Sequence, residues 1–159
     1  MDINIPFYKM SKAQKTQLYM DNLTVIFNPQ ALFSDGTAFY RNPSEPDCFE
    51  EVHLRFRTGR ENVDEVILVF DEQRYTMQKV ANDKMFDYYE YTVTLGDSRV
   101  EYYFEVHSGH MVCYFNSVGV CSSVENYYNF SITPSFQTPD WAKGAIIYQI
   151  FVDRFYNGD

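Results

Sequence analysis

Positive charge is scarce in this sequence. Thirteen Lys and Arg stand against 22 Asp and Glu, a net charge of −9. Nucleic acid and anionic membrane surfaces both demand clustered basic residues, so neither is an expected partner. Long apolar runs are missing too: none approaches the roughly 18 residues that a membrane-spanning helix needs. The N-terminus, Met1 to Met10, has no basic segment followed by an apolar one, which gives the expectation of no signal peptide and a cytoplasmic location. Cysteine is limited to Cys48, Cys113 and Cys121. An odd number without a CxxC pair excludes a disulfide framework and points to scattered buried thiols. There is no internal repeat and no low-complexity tract. Trp141 is the only tryptophan, yet 14 Tyr and 14 Phe lift the aromatic share to 18%. Rings in that number suit a pleated surface and exclude intrinsic disorder. At 159 residues the chain is long enough for one ordinary domain and too short for two.

Periodicity fixes the class of that domain. Residues 1–30 look like an extension, with Ser11 placed to cap a short helix over Lys12 to Asn22. From Ala31 the period becomes two. Along Cys48 to Arg57, Val52, Leu54 and Phe56 share one face of a half-buried strand, while His53, Arg55 and Arg57 share the other. Val66 to Phe70 is a continuous apolar run, as in a fully buried strand. Arg74 to Val80 reads as one further strand. Along Phe86 to Leu95, Asp87, Tyr89, Tyr91, Val93 and Leu95 lie on one side, with Phe86, Tyr88, Glu90, Thr92 and Thr94 on the other. Val100, Tyr102, Phe104 and Val106 face inward, and Glu101, Tyr103, Glu105 and His107 outward. Strands over Met111 to Phe115 and Tyr127 to Ile132 complete about seven, separated by turns at the spacing of an antiparallel β-sandwich. The pattern ends at Pro134 to Pro139, where two prolines mark a linker over 134–143. Ala145 to Val152 is then a near-continuous apolar strand of the kind found in parallel sheets covered on both faces. A parallel strand needs a crossover and a second strand, so residues 144–159 read as the start of a further domain.

Residues 139–159, Pro-Asp-Trp-Ala-Lys-Gly-Ala-Ile-Ile-Tyr-Gln-Ile-Phe-Val-Asp-Arg-Phe-Tyr-Asn-Gly-Asp, resemble the opening of the catalytic (β/α)8 barrel of glycoside hydrolase family 13. More narrowly, they are similar to the neopullulanase, cyclomaltodextrinase and maltogenic amylase branch. Val152 departs from that pattern, which usually has proline there. Phe86 to Glu90 and Arg99 to Phe104 resemble strands of the same branch's N-terminal domain, an immunoglobulin-like β-sandwich classed as a family 34 carbohydrate-binding module. The resemblance implies a sandwich over 31–133. It also implies that the catalytic carboxylates of the parent enzyme sit on later barrel strands, so no catalytic residue is expected in this chain. Asn157 and Asp159 match two calcium ligands of the family; calcium is implied for the parent enzyme and no cofactor for the chain by itself. The implied partners are α-glucans or cyclodextrins, a catalytic barrel in cis, and a second copy of the parent enzyme.

A neutral sugar presents a C–H face to an aromatic ring and its hydroxyls to polar neighbours. The candidate sugar contacts are therefore the outward rings: Tyr103 first, between Glu101 and Glu105, then Tyr88, then Trp141 at the domain junction. For each there is a plain structural alternative: Tyr88 covered by a neighbouring strand, Tyr103 a lone surface ring, Trp141 packed between domains. His107, His110 and Cys113 have metal-like spacing but straddle a turn, which favours surface histidines. Two functions remain: an accessory domain that binds or positions glucan, and a structural or dimerisation module that walls a partner's active site.

Overall fold

The computed structural model describes residues 7–21 and 27–146, and only the backbone of 7 and 17–21. Helix α1 (Lys12–Asp21) opens on a reciprocal cap, as Ser11 anticipates. The Gln14 amide donates to the Ser11 hydroxyl at 3.2 Å and the Ser11 amide donates to the Gln14 side chain at 2.9 Å.

Among the described residues ten strands follow: β1 (Arg41–Asn42), β2 (Glu51–Gly59), β3 (Glu65–Phe70), β4 (Gln73–Thr76), β5 (Gln78–Asn82), β6 (Phe86–Thr94), β7 (Val100–Ser108), β8 (Met111–Asn116), β9 (Gly119–Cys121) and β10 (Phe130–Ile132). They form two antiparallel sheets. One has the order β1-β2-β6-β5; the other runs β4-β3-β7-β8-β9, with β10 also paired to β7. The core is the set of inward residues that alternation marks out. Val52, Leu54 and Phe56 of β2 face Val66 and Leu68 of β3 and Tyr102, Phe104 and Val106 of β7, and all are at most 1% exposed. The Phe56 ring lies 4.5 Å from Phe104 and 5.3 Å from Phe115. Burial pushes the Tyr102 phenol up to about 12.

Four details differ from the periodicity. The strand expected over Arg74 to Val80 is two strands in different sheets. The chain changes sheet at Met77, which is buried and donates its amide to the Val66 carbonyl at 2.9 Å. Tyr75 packs against the core and stacks on Tyr91, so the period of two continues unbroken through the crossing and hides it. Phe49 is not in a strand: its φ is 63° and its side chain is 71% exposed. The strand expected over Tyr127 to Ile132 starts only at Phe130, after a 3-10 turn at Asn126–Tyr128. Strands β1 and β9 have two and three residues, too few to show a period.

The proline-bearing segment after β10 is tied to the loop before β2. The Ser135 amide donates to the Pro46 carbonyl at 2.8 Å, and the Thr138 amide donates to the Glu45 carboxylate at 3.2 Å. Lys143 pairs with Glu45 at 3.1 Å, and that bond is the main reason the Glu45 carboxyl lies below its ordinary range. Beyond Ile146 the expected barrel strand lies outside the described residues. No helix among the described residues is long and apolar enough to cross a membrane.

Candidate functional site

The outer face of the larger sheet carries a cleft of about 560 Å³ built around Tyr103. Its floor is a cross-strand row: Arg74 on β4, Val69 on β3 and Tyr103 on β7 stand in register. Glu101 lies two residues before Tyr103 on the same face. The rim comes from connections: Asp71 and Glu72 in the β3–β4 turn, Arg99 before β7, and Asn126 and Asn129 around the 3-10 turn before β10. The Asp71 amide donates to the Glu101 carbonyl at 3.0 Å, which fixes that turn against β7.

Tyr103 is half-buried, edge-on to Tyr114 at 6.1 Å. Burial, then the charge of Glu105, pushes its phenol above the ordinary value, so at neutral pH it keeps its proton and can donate a hydrogen bond. Glu105 corrects an expectation. It lies on the outer face, as alternation requires, but is only 5% exposed. Arg74 grips both its oxygens, at 2.6 and 2.8 Å, and His107 bonds it at 2.5 Å. Those bonds, those of Arg74 foremost, hold its carboxyl below the usual range. Glu105 is thus occupied within the sheet, and Asn126, Asn129, Arg99 and Asp71 supply the polar rim instead. None of these four stands out in the sequence, because loops carry no periodicity. Asn129 sits one residue before a strand and Asn126 four residues before it, which is the only hint.

The chemistry of the cleft suits a neutral polyhydroxyl ligand. Arg74 is paired with Glu105, and Arg99 with Glu101 at 3.2 Å, so a carboxylate beside each guanidinium offsets its charge. The acidic turn at Asp71-Glu72 repels anions further. What is left is a ring, a phenol, two carboxamides and carboxylate acceptors.

The structure does not bring Tyr88 or Trp141 to this cleft. Tyr88 is covered at its edge by Phe39 at 5.9 Å and donates its hydroxyl to Asp83 at 3.2 Å. The exposed ring beside it is Phe39, which lines a second cleft on the other sheet with Ala38, Asn42, His53, Arg55 and Glu90. Trp141, in the short 3-10 turn Asp140–Ala142, is 79% exposed and lines neither cleft. Asn157 and Asp159, the calcium candidates, lie outside the described residues. His107 is engaged with Glu105, His110 is exposed on a turn, and Cys113 is buried in the core, so the three do not converge.

Residues 36–139 match the family model described as the alpha amylase N-terminal Ig-like domain. The chain belongs to this family. A maltogenic alpha-amylase of Bacillus acidopullulyticus is 30% identical over 145 residues, which cover 77% of this chain and 25% of that protein. The intracellular maltogenic amylase of Bacillus subtilis is 29% identical over 146 residues, covering 76% and 25%. A solved cyclomaltodextrinase structure, 28% identical, superposes with a TM-score of 0.58 over 82% of this chain and 24% of its own. The chain therefore spans about a quarter of the length of these relatives.

In this Ig-like domain the cleft rim has an unusual turn. Asp71 and Glu72 both have positive φ, 48° and 63°, as a two-residue type I′ hairpin demands. Asp tolerates that region, whereas Glu does so only against steric resistance. Glu72→Gly should therefore raise stability by about 0.5–1 kcal/mol. Urea melts of both proteins check this; a lower midpoint in the variant would show that the Glu72 side chain makes up for its backbone.

Proposed function

We propose that this chain is the non-catalytic N-terminal part of an α-glucan hydrolase and that the Tyr103 cleft holds glucan for it. The observation that supports the site most directly is the pairing of a rigid outward ring with a rim whose arginines are already neutralised. The family of the domain and the names of its relatives support the substrate class. A cytoplasmic location belongs to the same proposal, supported by the intracellular relative.

A ring-stacked site on an open sheet buries little of its ligand, so the dissociation constant should be on the order of 0.1–1 mM. Affinity electrophoresis in soluble starch tests the reading: the protein should be retarded, and Tyr103→Ala should be retarded less. By titration with maltoheptaose, the Tyr103 cleft of Tyr103→Ala should bind about fivefold more weakly or worse. Its melting temperature should fall by only a few degrees, since the ring is half-buried. No retardation of the unmodified protein would sink the glucan reading. It would favour the structural or dimerisation role, to which the exposed Phe49, Phe136 and Trp141 lend apolar surface.

A further inference from the structure

We propose that the outer face of the smaller sheet carries a second glucan site, centred on Phe39. This rests on the reading that the domain holds glucan, and it adds a separate contact on the opposite side of the sandwich. The cleft, about 360 Å³, is lined by Ala38, Phe39, Asn42, His53, Arg55 and Glu90. Phe39 is 54% exposed, yet its ring is fixed on three sides. The Arg55 guanidinium lies over it at 4.8 Å, Tyr40 meets it edge-on at 4.9 Å, and Tyr88 at 5.9 Å. A ring held this way stacks on a ligand with little loss of side-chain freedom.

The polar wall fits a neutral ligand. Arg55 donates through Nε and Nη2 to Glu90 at 3.2 and 2.9 Å, and His53 Nδ1 lies 3.3 Å from the other Glu90 oxygen. One carboxylate thus takes up the local positive charge, leaving no cation to select an anion. Arg55 Nη1 and the Asn42 carboxamide remain to meet hydroxyl groups. An exposed ring beside a charge-balanced hydrogen-bonding wall is the same chemistry as the Tyr103 cleft. The two lie on opposite outer faces, separated by two packed sheets about 10 Å apart, so one short oligosaccharide cannot occupy both.

Amide-detected NMR titration of the full chain with maltoheptaose decides the matter. The expected result is two separate groups of shifts, one around Tyr103 and one around Phe39, Asn42, His53 and Glu90, with a stoichiometry of two. Phe39→Leu keeps an apolar filler and removes the ring; it should weaken the second group about tenfold and leave the first unchanged. Shifts around Tyr103 alone, with one ligand per chain, overturn the second site and leave the proposed function standing. Shifts around Phe39 alone support this inference and overturn the Tyr103 site. No shifts at either overturn both. If Phe39→Leu disturbs the fold, the shift map of the unmodified protein still decides.

Discussion

Replacing Phe56 with alanine should remove about 3–5 kcal/mol of stability, a large part of what a domain of this size possesses. Phe56 is fully buried at the middle of β2, with Phe104 and Phe115 of the opposite sheet within 5.3 Å of its ring. Both neighbours are anchored in β7 and β8, and Leu54 and Val52 continue the same packed row. The sheets are held apart by the other side chains of the core, so they cannot close on the space left behind. The loss is then the transfer term plus the cavity term. The melting temperature should fall by roughly 12–25 °C. Phe56→Leu fills most of the space and should cost about 1–1.5 kcal/mol. Denaturant unfolding of the two variants measures both; a loss below about 1 kcal/mol for alanine would mean that the two sheets do not pack through this ring.

The core was legible because burial on one face imposes a period of two that no other arrangement of these residues satisfies. Val52-Leu54-Phe56 and Tyr102-Phe104-Val106 sit inside as their spacing requires. The crossing at Met77 was not legible, and for a definite reason. A chain that leaves one sheet for the facing one keeps pointing its apolar side chains into the same interior, so alternation is blind to it. Pairing partners were illegible for a similar reason. Whether β7 takes β10 as well as β3 and β8 depends on loop paths, not on the composition of the strand.

The candidate site was half legible. The face of Tyr103 followed from alternation, but outward is not the same as exposed. Glu105 shares that face and is nevertheless sealed by Arg74, a residue 31 positions away whose approach depends on the hairpin at Asp71-Glu72. The same limit explains Tyr88, covered by Phe39 from a loop with no period of its own. Asn126 and Asn129 reach the rim because a 3-10 turn replaces the start of the expected last strand. Sequence therefore named the ring at the centre of the cleft and missed the loops that enclose it.

The sealed Glu105 makes a second large prediction, one that depends on pH. Its side chain is 7% exposed, while that of Arg74 is 54% exposed. Arg74→Met keeps the apolar stem over the sheet and removes both charge-assisted hydrogen bonds, leaving His107 as the remaining partner. Breaking a buried pair from one side typically costs 3–5 kcal/mol; because Arg74 is half in water, about 2–3 kcal/mol is expected at neutral pH. Arg74 is the principal cause that lowers the carboxyl of Glu105 in the folded protein. A group whose folded value is depressed contributes its stability above its unfolded value, and loses it as pH falls through the folded one. The gap between unmodified protein and variant should therefore be wide at neutral pH and close progressively in acid as Glu105 is protonated. Melting temperatures of both proteins across that range check it. A gap that is equally wide at about pH 2.5 would mean that Arg74 acts through the packing of its stem and not through the carboxylate. Arg74 also stands in register with Val69 beside Tyr103. The same substitution should thus weaken maltoheptaose binding at the Tyr103 cleft, and binding by the unmodified protein should itself decline in acid as Glu105 releases the guanidinium.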